Sequence, residues 1–139
     1  MGEWDGSPGC DNPYMATFAP DTLDQLRNAR EIDIETTRKS GEKARTTIWV
    51  VVDGEDVFVR SEYGDDGWWY RHLQARPDGV VHVRGRQAAP IAVRAAHADD
   101  PDSIERCSQA IRAKYGSGRS VDMMIRPEVL HATLRLEPA

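Results

Sequence analysis

The sequence predicts a β-rich α+β domain, a small antiparallel barrel of six strands with peripheral helices. Six short strand patterns follow one another at regular spacing, as in barrels and sandwiches. The clearest helical patterns stand before these strands and late among them rather than alternating with them, which argues against a parallel α/β architecture. The length of 139 residues suits one domain. We assign it to residues 20–139 and expect residues 1–19, which contain several prolines and glycines, to form a loosely ordered arm.

The first half of this domain opens with a short helix and continues in strands. Thr22-Leu23-Asp24-Gln25 has the form of a capping box and predicts a helix that begins near Thr22. Alternating apolar and polar residues predict a strand over 32–36. The β-branched and aromatic run 46–52 predicts one continuous strand buried on both faces. Asp53-Gly54 predicts a hairpin turn, after which 57–60 return antiparallel.

In the second half of the domain, helices and strands are mixed. A short helix is predicted over 68–75, and strands over 80–84 and 91–94. The strongest helix pattern covers 101–115, with Asp100 as its cap and Gly116 as its stop. The last strand is predicted where apolar residues alternate, at Leu130, Ala132, Leu134 and Leu136.

Composition narrows the function classes. The net charge of -5 argues against a general nucleic-acid binder. The longest apolar run, 48–52, is too short for a membrane span, and no secretory signal opens the chain. Cys10 and Cys107 have no metal or redox spacing and favour a reduced compartment. We therefore expect a cytoplasmic protein whose partners include neither nucleic acid nor membrane.

The four histidines stand at no metal-ligand spacing, so we expect no metal site. They are His72, His82, His97 and His131.

Two segments have the composition of a binding site. Residues 36–41 concentrate arginine, lysine and hydroxyl side chains around Gly41, with Arg45, Thr46 and Thr47 just beyond. Such a turn is either an anion-binding nest or an ordinary solvated turn. The three consecutive aromatic residues Trp68-Trp69-Tyr70 are suited to line a binding site for a planar ligand. The alternative interpretation is that they close one end of the core.

The order of these motifs is informative. Thr37-Arg38-Lys39-Ser40-Gly41, then Arg45, an apolar strand ending at Asp53-Gly54, and the return strand 57–61 form the first motif. Trp69-Tyr70, Leu73, Ala75 and Pro77 form the second. Over residues 32–95, this arrangement resembles the flavin/deazaflavin split-barrel family, which includes pyridoxamine phosphate oxidase-like proteins and deazaflavin-dependent nitroreductases.

The resemblance implies a six-stranded antiparallel split β-barrel, a homodimer, and FMN or a deazaflavin coenzyme bound at the subunit interface. It implies that Arg38, Lys39, Ser40 and Arg45 hold the phosphate of the cofactor. The ring would be lined by Thr46, Thr47 and Trp49, and the pocket completed by Arg60, Ser61, Trp68 and Trp69.

The chain departs from the family pattern in the loop before the Trp-Tyr helix. That loop is Gly64-Asp65-Asp66-Gly67, where many deazaflavin-dependent members carry lysine, and His72 replaces the usual asparagine. Candidate proton donors are His72, Tyr70 and Tyr115.

The leading hypothesis is an oxidoreductase in which bound FMN or deazaflavin transfers hydride to a small planar organic substrate. Two alternatives stay open. One is a cofactor-free enzyme of the same fold with acid–base or cyclisation chemistry, favoured by the acidic loop. The other is a non-catalytic flavin- or ligand-binding module.

Overall fold

A computed structural model describes residues 17–84 and 88–139. It has seven strands, β1 (Ile32–Thr37), β2 (Lys43–Ile48), β3 (Val51–Asp53), β4 (Asp56–Arg60), β5 (Asp78–Val83), β6 (Ile91–His97) and β7 (Thr133–Pro138). Its helices are α1 (Pro20–Asn28), α2 (Trp68–Ala75), α3 (Pro101–Tyr115) and α4 (Arg119–Ile125), with 3-10 turns at Gly64–Asp66 and Pro127–Ala132. Within the described ranges, no helix is long and apolar enough to cross a membrane.

All seven strands form one antiparallel sheet in the order β2-β1-β5-β6-β7-β4-β3. The two outermost strands, β2 and β3, are consecutive in the chain and separated only by Trp49 and Val50. A flat seven-stranded sheet would place them about 29 Å apart, whereas the short link reaches at most about 11 Å. The sheet therefore curls into a half-barrel. The predicted β-rich α+β class with peripheral helices is confirmed.

The predicted strand count of six is one too low. The run 46–52 is not a single strand, because β2 ends at Ile48 and β3 begins at Val51. β2 pairs with β1 at one edge of the sheet, and β3 pairs with β4 at the other. The chain bends between them to pass from the first edge to the last.

Helix starts and ends agree with their sequence signals to different degrees. α3 has its predicted bounds, and the backbone N–H of Ser103 donates to Asp100 Oδ2 at 3.0 Å. α1 instead begins at Pro20, with no side-chain cap, so the capping box predicted at Thr22 is wrong. Pro20 is suited to the first helical position because its φ angle is already fixed there. α4 has no counterpart among the predicted elements.

The core lies inside the curl of the sheet. Ile32 and Ile34 of β1 and Val57 and Val59 of β4 are almost fully buried there. α2 covers this core with Leu73 and with Trp69 and Tyr70. A second apolar cluster joins β3 and β4 to α3 and α4, through Val51, Phe58, Cys107, Ile111, Val121 and Met124. Phe18, at the end of the predicted N-terminal arm, is buried in the first cluster, whereas residues 1–16 lie outside the described residues.

Candidate functional site

A cavity of about 510 Å³ opens between the end of β2 and the start of α2. We call it the aromatic cavity. Its lining residues are Glu31, Thr46, Thr47, Ile48, Trp49, Arg60, Glu62, Tyr63, Asp66, Gly67, Trp68, Trp69 and Met124. Six of the eleven residues predicted to bind a cofactor are in this list. The structure therefore brings the end of β2, Arg60 and the tryptophans of α2 to one space.

The side chains of β2 alternate between the two faces of the sheet, and this determines which of them face the aromatic cavity. Thr46 pairs with Ile34 on the core side of the sheet. The Thr47 hydroxyl donates to Asp33 Oδ1 at 2.7 Å, on the other side of the strand. Since β2 is an edge strand, its backbone groups that point away from β1 have no strand partner in the described ranges.

The aromatic walls differ in exposure. Trp69 is 6 % exposed and packs edge-on against Tyr70, whereas Trp68 is 67 % exposed at the cavity mouth. Trp49 stacks on Tyr115 with 3.9 Å between ring centroids and 9° between ring planes. The cavity thus has one fixed indole from α2, one fixed indole from the β2–β3 link, and one indole that faces solvent.

The turn before α2 is built around Ser61 and Gly67. Ser61 Oγ donates to the Gly64 carbonyl at 2.8 Å, and Ser61 is fully buried. A Cβ at Gly67 would collide with this hydroxyl, so any larger residue there would displace Ser61 from its hydrogen bond. Ser61, predicted to bind a cofactor, shapes the start of α2 and does not line the cavity.

Arg60 lies at the inner end of the aromatic cavity and is 2 % exposed. Its guanidinium donates to Thr133 Oγ1 (2.8 Å), Ser108 Oγ (2.9 Å), the Met124 carbonyl (3.0 Å) and the Ile104 carbonyl (3.0 Å). Burial lowers the pKa of Arg60. Its contacts therefore join β4 to β7, α3 and α4, and they use four of its five N–H donors.

The other charged residues of the aromatic cavity are carboxylates. Glu31, Glu62 and Asp66 line it, and Arg60 is its one cation among the described residues. Because Arg60 is committed to the core, the opening of the cavity has an acidic rim.

A second cavity, of about 500 Å³, lies on the other side of Trp68. We call it the basic cavity, because its lining within the described part of the chain includes three cations and no carboxylate. Its lining residues are Thr37, Lys39, Trp68, Arg71, His72, Ala75 and Arg76. Trp68 belongs to both cavities. Arg71 and Arg76 are not among the residues predicted from the sequence, because only the packing of α2 and of the residue after it beside the β1–β2 turn brings them to Lys39.

The β1–β2 turn contributes less than the motif predicts. Of the four residues predicted to hold a phosphate, Lys39 lines the basic cavity, whereas Arg38, Ser40 and Arg45 line neither cavity. Ser40 Oγ is 3.3 Å from Glu42 Oε1. Arg45 Nε lies 3.4 Å from Glu35 Oε1 on the outer face of the sheet. The same Glu35 oxygen lies 2.9 Å from His82 Nε2, which lowers the pKa of Glu35.

None of the three predicted proton donors lines the aromatic cavity. Tyr70 is buried, which raises its pKa. His72 lines the basic cavity, with its Nδ1 at 2.8 Å from Thr36 Oγ1. Burial, and then the nearby Arg38 and Arg71, lower the pKa of His72. The Tyr115 hydroxyl donates to the Arg30 carbonyl at 2.7 Å. In the part of the chain that the structure describes, no group of three potential metal-ligating residues occurs.

Residues 22–136 match the model of a family described as uncharacterized proteins conserved in bacteria, DUF2255. The chain belongs to this family. No curated protein matches the sequence of this DUF2255 member.

Solved structures similar to this DUF2255 protein share its architecture at low identity. A putative pyridoxamine 5'-phosphate oxidase from Listeria innocua is 14 % identical, with a TM-score of 0.63 over 85 % of this chain and 90 % of that one. The heme storage protein HutZ from Vibrio cholerae is 16 % identical, with a TM-score of 0.62 over 88 % and 91 %. An F420 reductase is 16 % identical, with a TM-score of 0.58 over 84 % and 91 %. The predicted resemblance to the split-barrel fold is thus confirmed, with seven strands in this chain.

Proposed function

We propose that this DUF2255 protein is an oxidoreductase that binds FMN or a deazaflavin coenzyme and reduces a small planar organic substrate. The observation that carries the proposal is the shared position of Trp68, which separates an aromatic cavity from a basic one. A cofactor with a flat ring and an anionic tail would place its ring in the aromatic cavity and its tail in the basic cavity.

The aromatic cavity fits the ring. Its volume of about 510 Å³ falls in the range of small-ligand pockets. Indole side chains at Trp49, Trp68 and Trp69 offer flat apolar surfaces, and the edge strand beside Thr46 offers backbone hydrogen-bonding groups. When bound, the flavin or deazaflavin would supply the hydride chemistry, while these residues orient the ring and exclude water from one side.

The basic cavity fits the anionic tail. It is lined by Lys39, Arg71 and Arg76 and by no carboxylate of the described residues. Guanidinium groups suit phosphate and carboxylate oxygens. Thr37 adds a hydroxyl, which also accepts a hydrogen bond from Lys43 at 2.8 Å. The tail is therefore assigned to the cavity between α2 and the β1–β2 turn, and not to Arg45.

The acidic rim indicates which charge the substrate carries. Glu31, Glu62 and Asp66 would repel an anionic substrate that approaches the aromatic cavity. We therefore assign it a neutral or amine-bearing substrate. The same carboxylates and Tyr63 are the groups placed to exchange a proton with it.

The assembly is proposed to be a cytoplasmic homodimer. Tyr63 and Trp68 are about two-thirds exposed at the mouth of the aromatic cavity (66 % and 67 %), and Met123 is 36 % exposed nearby in α4. A second copy that covers these side chains would bury apolar surface and close the cavity to solvent. Sedimentation equilibrium of the purified protein tests this, and a monomer at micromolar concentration would contradict it.

A non-catalytic binding module is the second candidate. It is supported by the position of Tyr70, His72 and Tyr115 outside the aromatic cavity, and HutZ, which has this fold, is a heme storage protein. A cofactor-free enzyme remains an alternative as well, and the three carboxylates of the rim support acid–base chemistry.

Absorbance titration of the purified protein with FMN, with riboflavin and with a deazaflavin coenzyme tests the proposal. Saturable binding of FMN or the deazaflavin, tighter than that of riboflavin, is expected because riboflavin lacks the anionic tail. Turnover of a nitroaromatic or quinone by the reduced complex separates the oxidoreductase from the binding module. A protein that binds neither FMN nor the deazaflavin would overturn the proposal.

A further inference from the structure

The C-terminal end of α3 holds the link between the two edge strands. Val50 lies between β2 and β3, is fully buried, and has no strand partner among the residues that the structure describes. Its backbone N–H donates to the Tyr115 hydroxyl at 3.3 Å, and its carbonyl accepts from Lys114 Nζ at 2.7 Å. Side chains of α3 therefore satisfy the two backbone groups that the bend removes from the sheet.

The same two side chains also bind the segment before β1. The Tyr115 hydroxyl donates to the Arg30 carbonyl at 2.7 Å, and Lys114 Nζ donates to the Leu26 carbonyl at 3.2 Å. Burial raises the pKa of Tyr115 to about 12. Three segments that are distant in sequence thus meet at one helix end.

This arrangement reaches the aromatic cavity through Trp49. The Trp49 indole lines that cavity and stacks on Tyr115, which does not line it. Trp49 belongs to the bent link, and within residues 17–84 and 88–139 it has no strand pairing to fix its direction. Its orientation therefore depends on the ring of Tyr115 and on the anchoring of Val50 next to it.

We propose that Tyr115 and Lys114 are positioning residues of the ligand site, which set Trp49 and the backbone of the link against the bound ring. The assignment rests on the proposed function, because it takes the aromatic cavity as the site of the ring. It replaces the role of proton donor that the sequence suggested for Tyr115. The ring of Tyr115 orients Trp49, and its hydroxyl, with the Lys114 ammonium, fixes the bend.

Three variants separate the two contributions. Tyr115→Phe keeps the stack and removes the hydroxyl, Tyr115→Leu removes the stack as well, and Lys114→Met removes the donor to Val50 but keeps the apolar stem. Gln109→Ala, an exposed position of the same helix, is the matched control. Each folded variant is titrated with FMN and with a deazaflavin coenzyme, and near-UV circular dichroism and amide hydrogen exchange of Val50 are recorded without ligand.

We expect Tyr115→Leu to weaken binding about tenfold, which corresponds to the energy of an aromatic pair, and to lose the near-UV signal of the stacked rings. Tyr115→Phe should retain most of that signal and affinity but expose the Val50 amide to faster exchange, because its acceptor is gone. Lys114→Met should weaken binding by a few fold, and Gln109→Ala should match the wild type.

Wild-type binding with unchanged affinity in Tyr115→Leu and Lys114→Met would overturn the inference while leaving the proposed function intact. Failure of the wild type to bind either probe would overturn the proposed function, and the inference with it. The hydrogen exchange of Val50 reports the contact to Tyr115 in either case, and unchanged exchange in Tyr115→Phe would also overturn the inference.

Discussion

Arg45 and Thr46 are neighbours in β2 but lie on opposite sides of the sheet. Arg45 pairs with Glu35 on the outer face, whereas Thr46 faces the core side and lines the aromatic cavity. The two residues are adjacent in the sequence motif but face different surfaces in the fold. Arg45→Ala is therefore a control for variants that change the lining of a cavity.

The double variant Arg71→Ala/Arg76→Ala should bind FMN about tenfold more weakly than the wild type. Two partly exposed cations are lost from the basic cavity, and each contributes roughly 0.5–1 kcal/mol. Arg45→Ala should leave the affinity unchanged, and riboflavin binding should change in neither protein. Isothermal titration calorimetry measures all these affinities. Loss of FMN affinity in Arg45→Ala alone would mean that the tail lies on the outer face.

Asp66→Asn should improve the use of an anionic substrate over a neutral one. Asp66 lines the aromatic cavity, so removing its charge reduces repulsion of a carboxylated nitroaromatic by roughly 0.5–1 kcal/mol, or two- to fivefold in kcat/KM. Asp65→Asn is the matched control, because Asp65 lies 2.9 Å from His131 and lines neither cavity. Equal effects of the two substitutions would argue against an acidic rim at this cavity.

Arg60→Leu should lower the free energy of unfolding by about 3 kcal/mol or more. Two hydroxyls and two carbonyls lose their buried donor, and unsatisfied buried groups cost roughly 1–3 kcal/mol each. Urea denaturation followed by circular dichroism measures the change. Arg84→Leu should cost at most about 1 kcal/mol, since Arg84 is half exposed in its contact with Asp33. A small effect at Arg60 would show that its network is dispensable for stability.

Stability should depend on pH through His72. The folded-state pKa of His72 is lowered by burial and by nearby cations, so the unfolded chain takes up a proton first as the pH falls. The wild type should therefore lose stability as the pH falls from about 6.5 through the lower folded value, relative to His72→Gln. Thermal unfolding of both proteins between pH 5 and 8 measures the difference. Parallel stability curves would contradict the perturbed pKa.

Much of the fold follows from periodicity in the sequence. Alternation over β1, the Asp53-Gly54 turn and the apolar stripe of α3 are local signals, and the structure contains all three elements. The bend at Trp49 and Val50 has no such signal, because a continuous β-branched run suits a strand on either side of it. It arises from topology, which requires consecutive strands to occupy opposite edges of the sheet.

The candidate site was predictable where the residues involved are close in sequence. Thr46, Trp49, Trp68 and Trp69 were identified from two short motifs, and the structure places them around one cavity. The basic cavity was not predictable from the sequence. It is formed where Lys39 of the β1–β2 turn meets the exposed face of α2, and these segments are about 30 residues apart. Arg60 was predicted to contact the ligand, but most of its hydrogen bonds join β4 to α3, α4 and β7.

The two-residue link between β2 and β3 also protects the protein against edge-to-edge aggregation. Unpaired edge strands are templates on which other chains add and aggregate. Here both edges of the sheet are drawn together by Trp49 and Val50 and covered at that point by the end of α3. A protease cut at this link would free both edges at once, so the nicked protein should polymerise more readily than one cut at any surface turn.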